Sequence, residues 1–258
     1  MPKNFVVHPD FLHLKPQLQQ AIYGFSHCEG DTVASGRNVV KNIKMAGAHF
    51  SFKKFKRPKT LQAFVYRFIR PSKAARSFLY AQKLLGLGIG TPQPVAYFEH
   101  FKGGLQQSFY ISRHVAHDLD FRVLVHKPDY PGRTEILKQF TAFCHLLHEK
   151  HVDFLDHSPG NTLIVKKGNG AYGFYLIDLN RMKFRPMDFN QRMKNLRRLW
   201  LSKTMLKTMA ATYAQLSKRD SAEVFERMAH YSQRFKRTKT QKKICRQIWR
   251  RKVQNFDF

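Results

Sequence analysis

The stretch Asp153–Asn180, DFLDHSPGNTLIVKKGNGAYGFYLIDLN, constrains this chain more than any other. Asp156 is followed five residues on by Asn161, with Ser-Pro-Gly between them, a turn chemistry that pins the backbone locally. A strand pattern comes next, then a small polar turn, then a second strand pattern, Phe174 to Ile177, which delivers Asp178 at its end. Two carboxylates and one carboxamide gathered by turns offer hard oxygen donors, which magnesium prefers beside substrate phosphates. Each residue alone has a plainer explanation. An Asp at a strand end usually bonds its own backbone, and Asn161 suits the close of a Pro-Gly turn. The spacing of the three together points to chemistry. Asp153, three residues before Asp156, has no Asn at that separation.

The remainder of the chain is compatible with one large domain or two modest lobes at 258 residues. A hydrophobic fraction of 43%, with 23 Phe and 10 Tyr, requires a packed core and excludes disorder. No run of about 18 uninterrupted apolar residues occurs, so no spanning helix is expected. The opening MPKNFVVHPDFLHLK lacks a secretory pattern. Cys28, Cys144 and Cys245 stand apart without a C-x-x-C pair, which suits a reducing compartment. A cytoplasmic chain is the expectation. The net charge of +29 favours anionic partners, whether phosphorylated substrate, anionic lipid or nucleic acid. It is unevenly spread: residues 32–98 hold 13 Lys and Arg and no acidic residue.

In order, residues 1–20 carry Pro2, Pro9 and Pro16 and read as a loosely packed lead-in. Residues 37–44 and 49–55 read as strands joined by a turn at Met45-Ala46-Gly47. Residues 61–68 allow strand or helix. A helix over 76–85 ends at the glycines 86, 88 and 90. Residues 95–98 and 108–112 form a hairpin across Lys102-Gly103-Gly104. Beyond Arg113 the pattern turns helical: 135–150, capped by Thr134, then 191–213, 222–235 and 239–253. The order predicts an α+β fold of two lobes, a small β-rich N-lobe over 1–112 and a mostly helical C-lobe over 113–258.

These residues carry a family resemblance. FLDHSPGN resembles the kinase catalytic loop, in which an Asp is followed five positions on by an Asn. LIDLN resembles the metal-binding Asp segment, FSFK (50–53) the strand that ends in the phosphate-contacting lysine, and GIGTPQPVAYFE (88–99) the link into the next strand. The four occur in order between Gly36 and Met187 and together resemble the lipopolysaccharide kinase family, which phosphorylates Kdo or heptose, within the protein-kinase-like superfamily. The resemblance implies ATP and Mg2+ as cofactors, with Asp156 as general base, Asn161 and Asp178 as metal ligands and Lys53 on the nucleotide phosphates. Lys54, beside Lys53, is its chief competitor. A turn between Gly30 and Gly36 would bring backbone N–H groups to phosphate with Arg37 nearby, so Gly36 and Arg37 join the nucleotide set. Residues 111–115 fall where the lobe hinge meets the purine.

Four departures accompany the match. Phe154 stands where the loop usually has His, and no G-x-G-x-x-G is present. The helix offers Ser77 or Leu79 where a Glu normally pairs with the strand lysine. Only about nine residues lie between Asp178 and the next helix, too few for the peptide-docking segment of protein kinases. The expected acceptor is therefore a saccharide or anionic glycolipid, with no protein substrate. A pseudokinase or a polyanion-binding module, nucleic acid included, is the alternative that the missing Glu leaves open.

Two further features have competing readings. His145, His148 and His151 read as a helix-end cluster facing solvent or the helix dipole in preference to a zinc set. In the last helix, Ile244, Ile248, Trp249, Val253 and Phe256 form one stripe beside a dense basic face. That stripe either packs on the lobe core or meets an anionic membrane, making the protein peripheral on the cytoplasmic face of the inner membrane.

Overall fold

Alternating aromatic and branched residues in the first 113 positions build one six-stranded antiparallel sheet, in which the first strand pairs with the fifth, the fifth with the sixth, the sixth with the fourth, the fourth with the third and the third with the second. The computed structural model describes residues 3–36 and 38–254. Contacts divide it into Met1–His117 with Tyr175–Asn180, and Asp118–Phe174 with Arg181–Phe258.

The first unit runs β1 (Lys3–Val7), α1 (Lys15–Tyr23), β2 (Asp31–Ser35), β3 (Val39–Met45), β4 (Ala48–Lys54), α2 (Thr60–Phe68), α3 (Lys73–Gly86), β5 (Pro94–Phe101) and β6 (Leu105–Arg113). Ala46 and Gly47 join β3 to β4 with φ of 48° and 74°, the tight turn whose twist suits a hairpin. It sets the register that places Lys53 opposite Val40 on one side and Tyr110 on the other. Ser72 caps α3 by accepting from the Ala75 N–H at 3.2 Å. The 61–68 stretch is helix, as α2. The core joins Phe50, Phe52, Val95, Phe98, Phe109 and Ile111 to Phe11, Leu14, Leu18 and Ile22.

That last group corrects the reading of residues 1–20 as loosely packed. Phe11, Leu14 and Leu18 are all buried, and β1 zips onto β5 from Lys3↔His100 to Val7↔Ala96. Pro9 and Pro16 are compatible with this packing because each sits at a helix start: Pro9 opens a 3-10 turn and Pro16 lies in the first turn of α1, where a missing N–H costs nothing. The proposed turn between Gly30 and Gly36 is also corrected. Residues 31–35 are strand β2, and the reversal lies at its end, after Ser35.

The second unit contains β7 (Leu119–Asp120), α4 (Phe121–His126), α5 (Arg133–Glu149), β8 (Val152–Phe154), β9 (Thr162–Lys166), β10 (Tyr172–Leu176), β11 (Met182–Phe184), α6 (Phe189–Asn195), α7 (Lys203–Ser217) and α8 (Ser221–Gln254). The strands form a three-stranded sheet, β10-β9-β7, and an antiparallel β11-β8 pair. Phe121, Phe140, Leu199, Met209 and Tyr213 centre its core. Gly132, with φ of 71°, occupies the cap position of α5 that Thr134 was expected to fill. The expected helix over 191–213 is broken: Trp200 turns left-handed at φ 58° and Ser202 caps a new start for α7. Conversely, the two helices expected over 222–253 are one, because no Gly or Pro interrupts 236–238. Its beginning is anchored by buried Val224 and Met228, whereas Ile244, Ile248 and Trp249 are exposed. For those three the core-packing reading is overturned. The side chain of Val253 and all of Phe256 lie outside the described residues.

If residues 1–20 belong to the core, Leu18→Ala should cost about 2–5 kcal/mol, visible as a lower urea midpoint. A change within about 0.5 kcal/mol, typical of surface positions, would contradict this packing.

Candidate active site

Lys53 reaches its place because β4 alternates. Phe50 and Phe52 point into the core, so Lys54, in phase with them, lies near the Phe25 and Phe109 rings at 5.8 Å each. Lys53 points the other way, and its Nζ meets Asp178 Oδ1 at 2.8 Å. The two lysines are thereby distinguished. Asp178 arrives on Tyr175–Asn180, which is tied to the first unit by Leu176 N–H donating to Gly90 O (2.9 Å) and Thr91 Oγ1 donating to Leu176 O (2.8 Å). Asp178 itself is left-handed, with φ of 59°, an unusual state for a residue with a side chain and one often found at functional sites. Asn180 Nδ2 also donates to Asp178 Oδ1, at 2.6 Å. Asp178 thus stands where the missing helix Glu would have been needed. Ser77 is buried and bonded to its own helix, and Leu79 is exposed.

In the second unit the Ser-Pro-Gly turn is a short 3-10 segment, Pro159–Asn161. Asn161 Nδ2 donates to the Asp156 carbonyl at 2.8 Å, and Ser158 N–H donates to the same oxygen at 2.7 Å. Five-residue spacing therefore makes a latch. With Nδ2 so committed, Oδ1 is the Asn161 atom suited to a cation. The Asp156 carboxylate faces two guanidinium groups, Arg198 at 2.6 Å and Arg181 at 3.6 Å. The structure brings Asp156 together with Asn161, and Lys53 with Asp178. Gly36 sits exposed, with nothing within 4 Å of where a Cβ would project. Arg37 lies outside the described residues.

Beneath this loop a single carboxamide organises the interior of the second unit. Asn195 Nδ2 donates to Asp153 Oδ1 (2.9 Å) and to the Phe154 carbonyl (3.1 Å). Its Oδ1 is then the acceptor facing His157 Nδ1 (3.2 Å) and His148 Nε2 (3.5 Å). Those contacts put the proton on each of these nitrogens, and His148 Nδ1 accepts from the Tyr213 hydroxyl at 2.9 Å. Asp153 is completed by Arg185 at 3.0 Å. It is a supporting carboxylate beside Asp156. His148 corrects the solvent-facing reading of the histidine cluster: it is fully buried, while His145 pairs with Glu149 at 3.7 Å. Asn195, Arg181 and Arg198 escaped the sequence reading because no local motif marks residues that act across 25 or more positions. The one available signal was the polar Asn195 between apolar Met193 and Leu196 on a helix.

A lysine held to a strand-end Asp in a sheet-rich unit, and an Asp latched by an Asn five residues on in a helical one, are the parts of a kinase-like fold. A profile of the lipopolysaccharide kinase (Kdo/WaaP) family matches residues 29–228, and the chain belongs to that family. A solved structure described as WaaP in complex with acyl carrier protein shares the fold, with a TM-score of 0.63 and 17% identity, over 91% of this chain and 97% of that one. No curated protein matches the chain by sequence. Family membership implies kinase activity with ATP as phosphoryl donor.

The buried imidazoles give the second unit a pH signature. Burial lowers His157 to about 4 and His148 to about 3, from the ordinary 6.5. The unfolded chain binds these protons first, so stability is whole above pH 6.5 and falls as pH drops through 4 towards 3. The slope is at most about 1.4 kcal/mol per pH unit for each ring. His157→Gln should flatten it, as followed by urea midpoints measured against pH; an unchanged slope would contradict a neutral buried His157.

Proposed function

We propose that this protein transfers the γ-phosphoryl group of ATP to a sugar hydroxyl of the lipopolysaccharide core, on a Kdo or heptose unit or in a related glycolipid. The Lys53–Asp178 ion pair at 2.8 Å carries the reading. It joins a cation suited to nucleotide phosphate with a carboxylate suited to a divalent metal, using two residues 125 positions apart in sequence. In this reading 1–112 is the N-lobe on the phosphate side and 113–258 the C-lobe, with 111–115 as the hinge beside the purine.

Asp156 takes the proton from the acceptor hydroxyl as that oxygen attacks. Both its oxygens face guanidinium groups in the resting arrangement, so one must turn to the incoming hydroxyl. Lys53 holds a point charge against the nucleotide phosphates. Asn161 and Asp178 would hold magnesium, which when bound neutralises charge on the transferring phosphoryl oxygens. Gly36, exposed at the end of β2, would bring its backbone N–H to phosphate, and Arg37 completes the proposed nucleotide set. The short span after Asp178 favours a saccharide over a peptide acceptor. The exposed Ile244, Ile248 and Trp249 on α8, with Lys242 and Arg246 beside them, support contact with an anionic membrane, and so a peripheral location on the cytoplasmic face of the inner membrane. Among the described residues no helix is long and apolar enough to cross a membrane.

The rival reading is a pseudokinase or polyanion-binding module, motivated by the missing helix Glu and the missing glycine-rich loop. Lys53 nonetheless has a carboxylate partner, which favours turnover. Polyanion affinity that declines with salt is expected under both readings, so catalysis must separate them. Asp156→Asn should lower kcat on the order of 10²–10⁴-fold and leave KM for ATP little changed. Transfer at the wild-type rate in that variant would sink the assignment of the base.

A further inference from the structure

Helix α2, in the first unit, has an apolar face that nothing in that unit covers. Leu61 is 80% exposed, Phe64 51%, Phe68 62% and Ile69 73%. They fall at positions i, i+3, i+7 and i+8, the spacing of one broad helix side, and the Phe64 and Phe68 rings stand 4.7 Å apart. The opposite side of α2 is anchored. Ala63 and Tyr66 are buried, Tyr66 accepts from Gln62 Nε2 at 3.2 Å, and Gly104 lies so close that a Cβ there would stand 3.1 Å from Ala63 Cβ. A nine-residue helix needs such anchoring, since isolated helices of this length do not persist in water. The exposed face is therefore held outward by the fold and is not an accident of fraying.

Charge identifies what the face is suited to. Lys56, Arg57 and Lys59 precede the helix and Arg67 and Arg70 end it, all exposed, and the Arg67 guanidinium lies 5.1 Å over the Phe68 ring. No acidic residue occurs from 32 to 98. Protein interfaces have a mixed polar rim around their apolar centre; a rim of one sign around exposed aromatic and branched residues matches anionic headgroups above an acyl boundary. Contiguous exposed apolar side chains of this kind mark interaction surfaces.

We infer that α2 is a membrane-docking element. It lies in the interface of an anionic bilayer, with Leu61, Phe64, Phe68 and Ile69 entering the apolar boundary and the flanking Lys and Arg meeting lipid phosphates. The surface is separate from α8 in sequence and unit, and its role does not depend on the kinase reading. None of its residues belongs to the proposed catalytic set.

Co-sedimentation of the full chain with phosphatidylcholine vesicles containing phosphatidylglycerol, against pure phosphatidylcholine, tests this. The wild type should bind the anionic vesicles preferentially. Leu61→Glu/Phe64→Glu should weaken that binding at least about tenfold, with an unchanged thermal melt because both side chains are exposed. Ile248→Glu/Trp249→Glu on α8 provides the parallel measurement. Binding by the α2 double variant equal to wild type overturns the inference, whether or not the α8 variant loses it. So does a wild type that is dimeric through this face, seen as a shift to monomer in the α2 variant by light scattering with vesicle binding intact. ATP turnover on a soluble saccharide acceptor should be the same in the α2 variant and the wild type, which keeps this outcome apart from any failure of the kinase assignment.

Discussion

The hydrogen bonds of Asn195 hold the second unit's chemistry in place. One buried carboxamide pairs at once with the Asp153 carboxylate, the Phe154 carbonyl and one nitrogen of each of two imidazoles. Each of those groups would be costly to bury unpaired. Asp153 and Phe154 form the strand that leads into Asp156, and His157 follows it. The position of the proposed base is thus set by contacts to its neighbours on either side, so its own carboxylate is left for arginines and substrate. Phe154, in the place usually held by His in the family's loop, is 1% exposed and contributes its backbone carbonyl and its packing. The imidazoles beside this loop are those of His157 and His148, both held to Asn195 Oδ1.

The first unit solves a different electrostatic problem. A lysine on the β4 strand, 18% exposed, sits in a stretch that has no acidic residue for 67 positions. The fold imports a carboxylate from far along the chain by sewing residues 175–180 to Gly90 and Thr91. A helix glutamate is therefore not required to neutralise Lys53. The same carboxylate occupies a left-handed backbone position, so its orientation is fixed by the main chain as well as by the ion pair.

Much of this was legible in the sequence wherever local chemistry decides. The hairpin at Ala46-Gly47, the helix after Ser72 and its end near Gly86, and the strands that follow Asn161 and precede Asp178 all follow from turn residues and periodicity. The lead-in departs from what its prolines suggest because Phe11, Leu14 and Leu18 are buried against residues as far along the chain as Val95–Ile111. Trp200 interrupts a helix that propensity alone would continue, while 236–238 joins the two expected helices into one. Among candidate site residues, the motif spacing singled out Asp156, Asn161 and Asp178, but the partner of Lys53 and the roles of Asn195, Arg181 and Arg198 depend on long-range contacts that no spacing records.

The proposed function requires that these residues support phosphoryl transfer and not merely polyanion binding. Incubation of the full chain with γ-labelled ATP, magnesium and lipopolysaccharide precursors, beside the Asp178→Ala variant, measures this most directly. Label should appear on the saccharide with the wild type and be lost in the variant. Absence of label with both proteins, alongside intact salt-sensitive binding of the precursors, would contradict it and leave a binding module in its place.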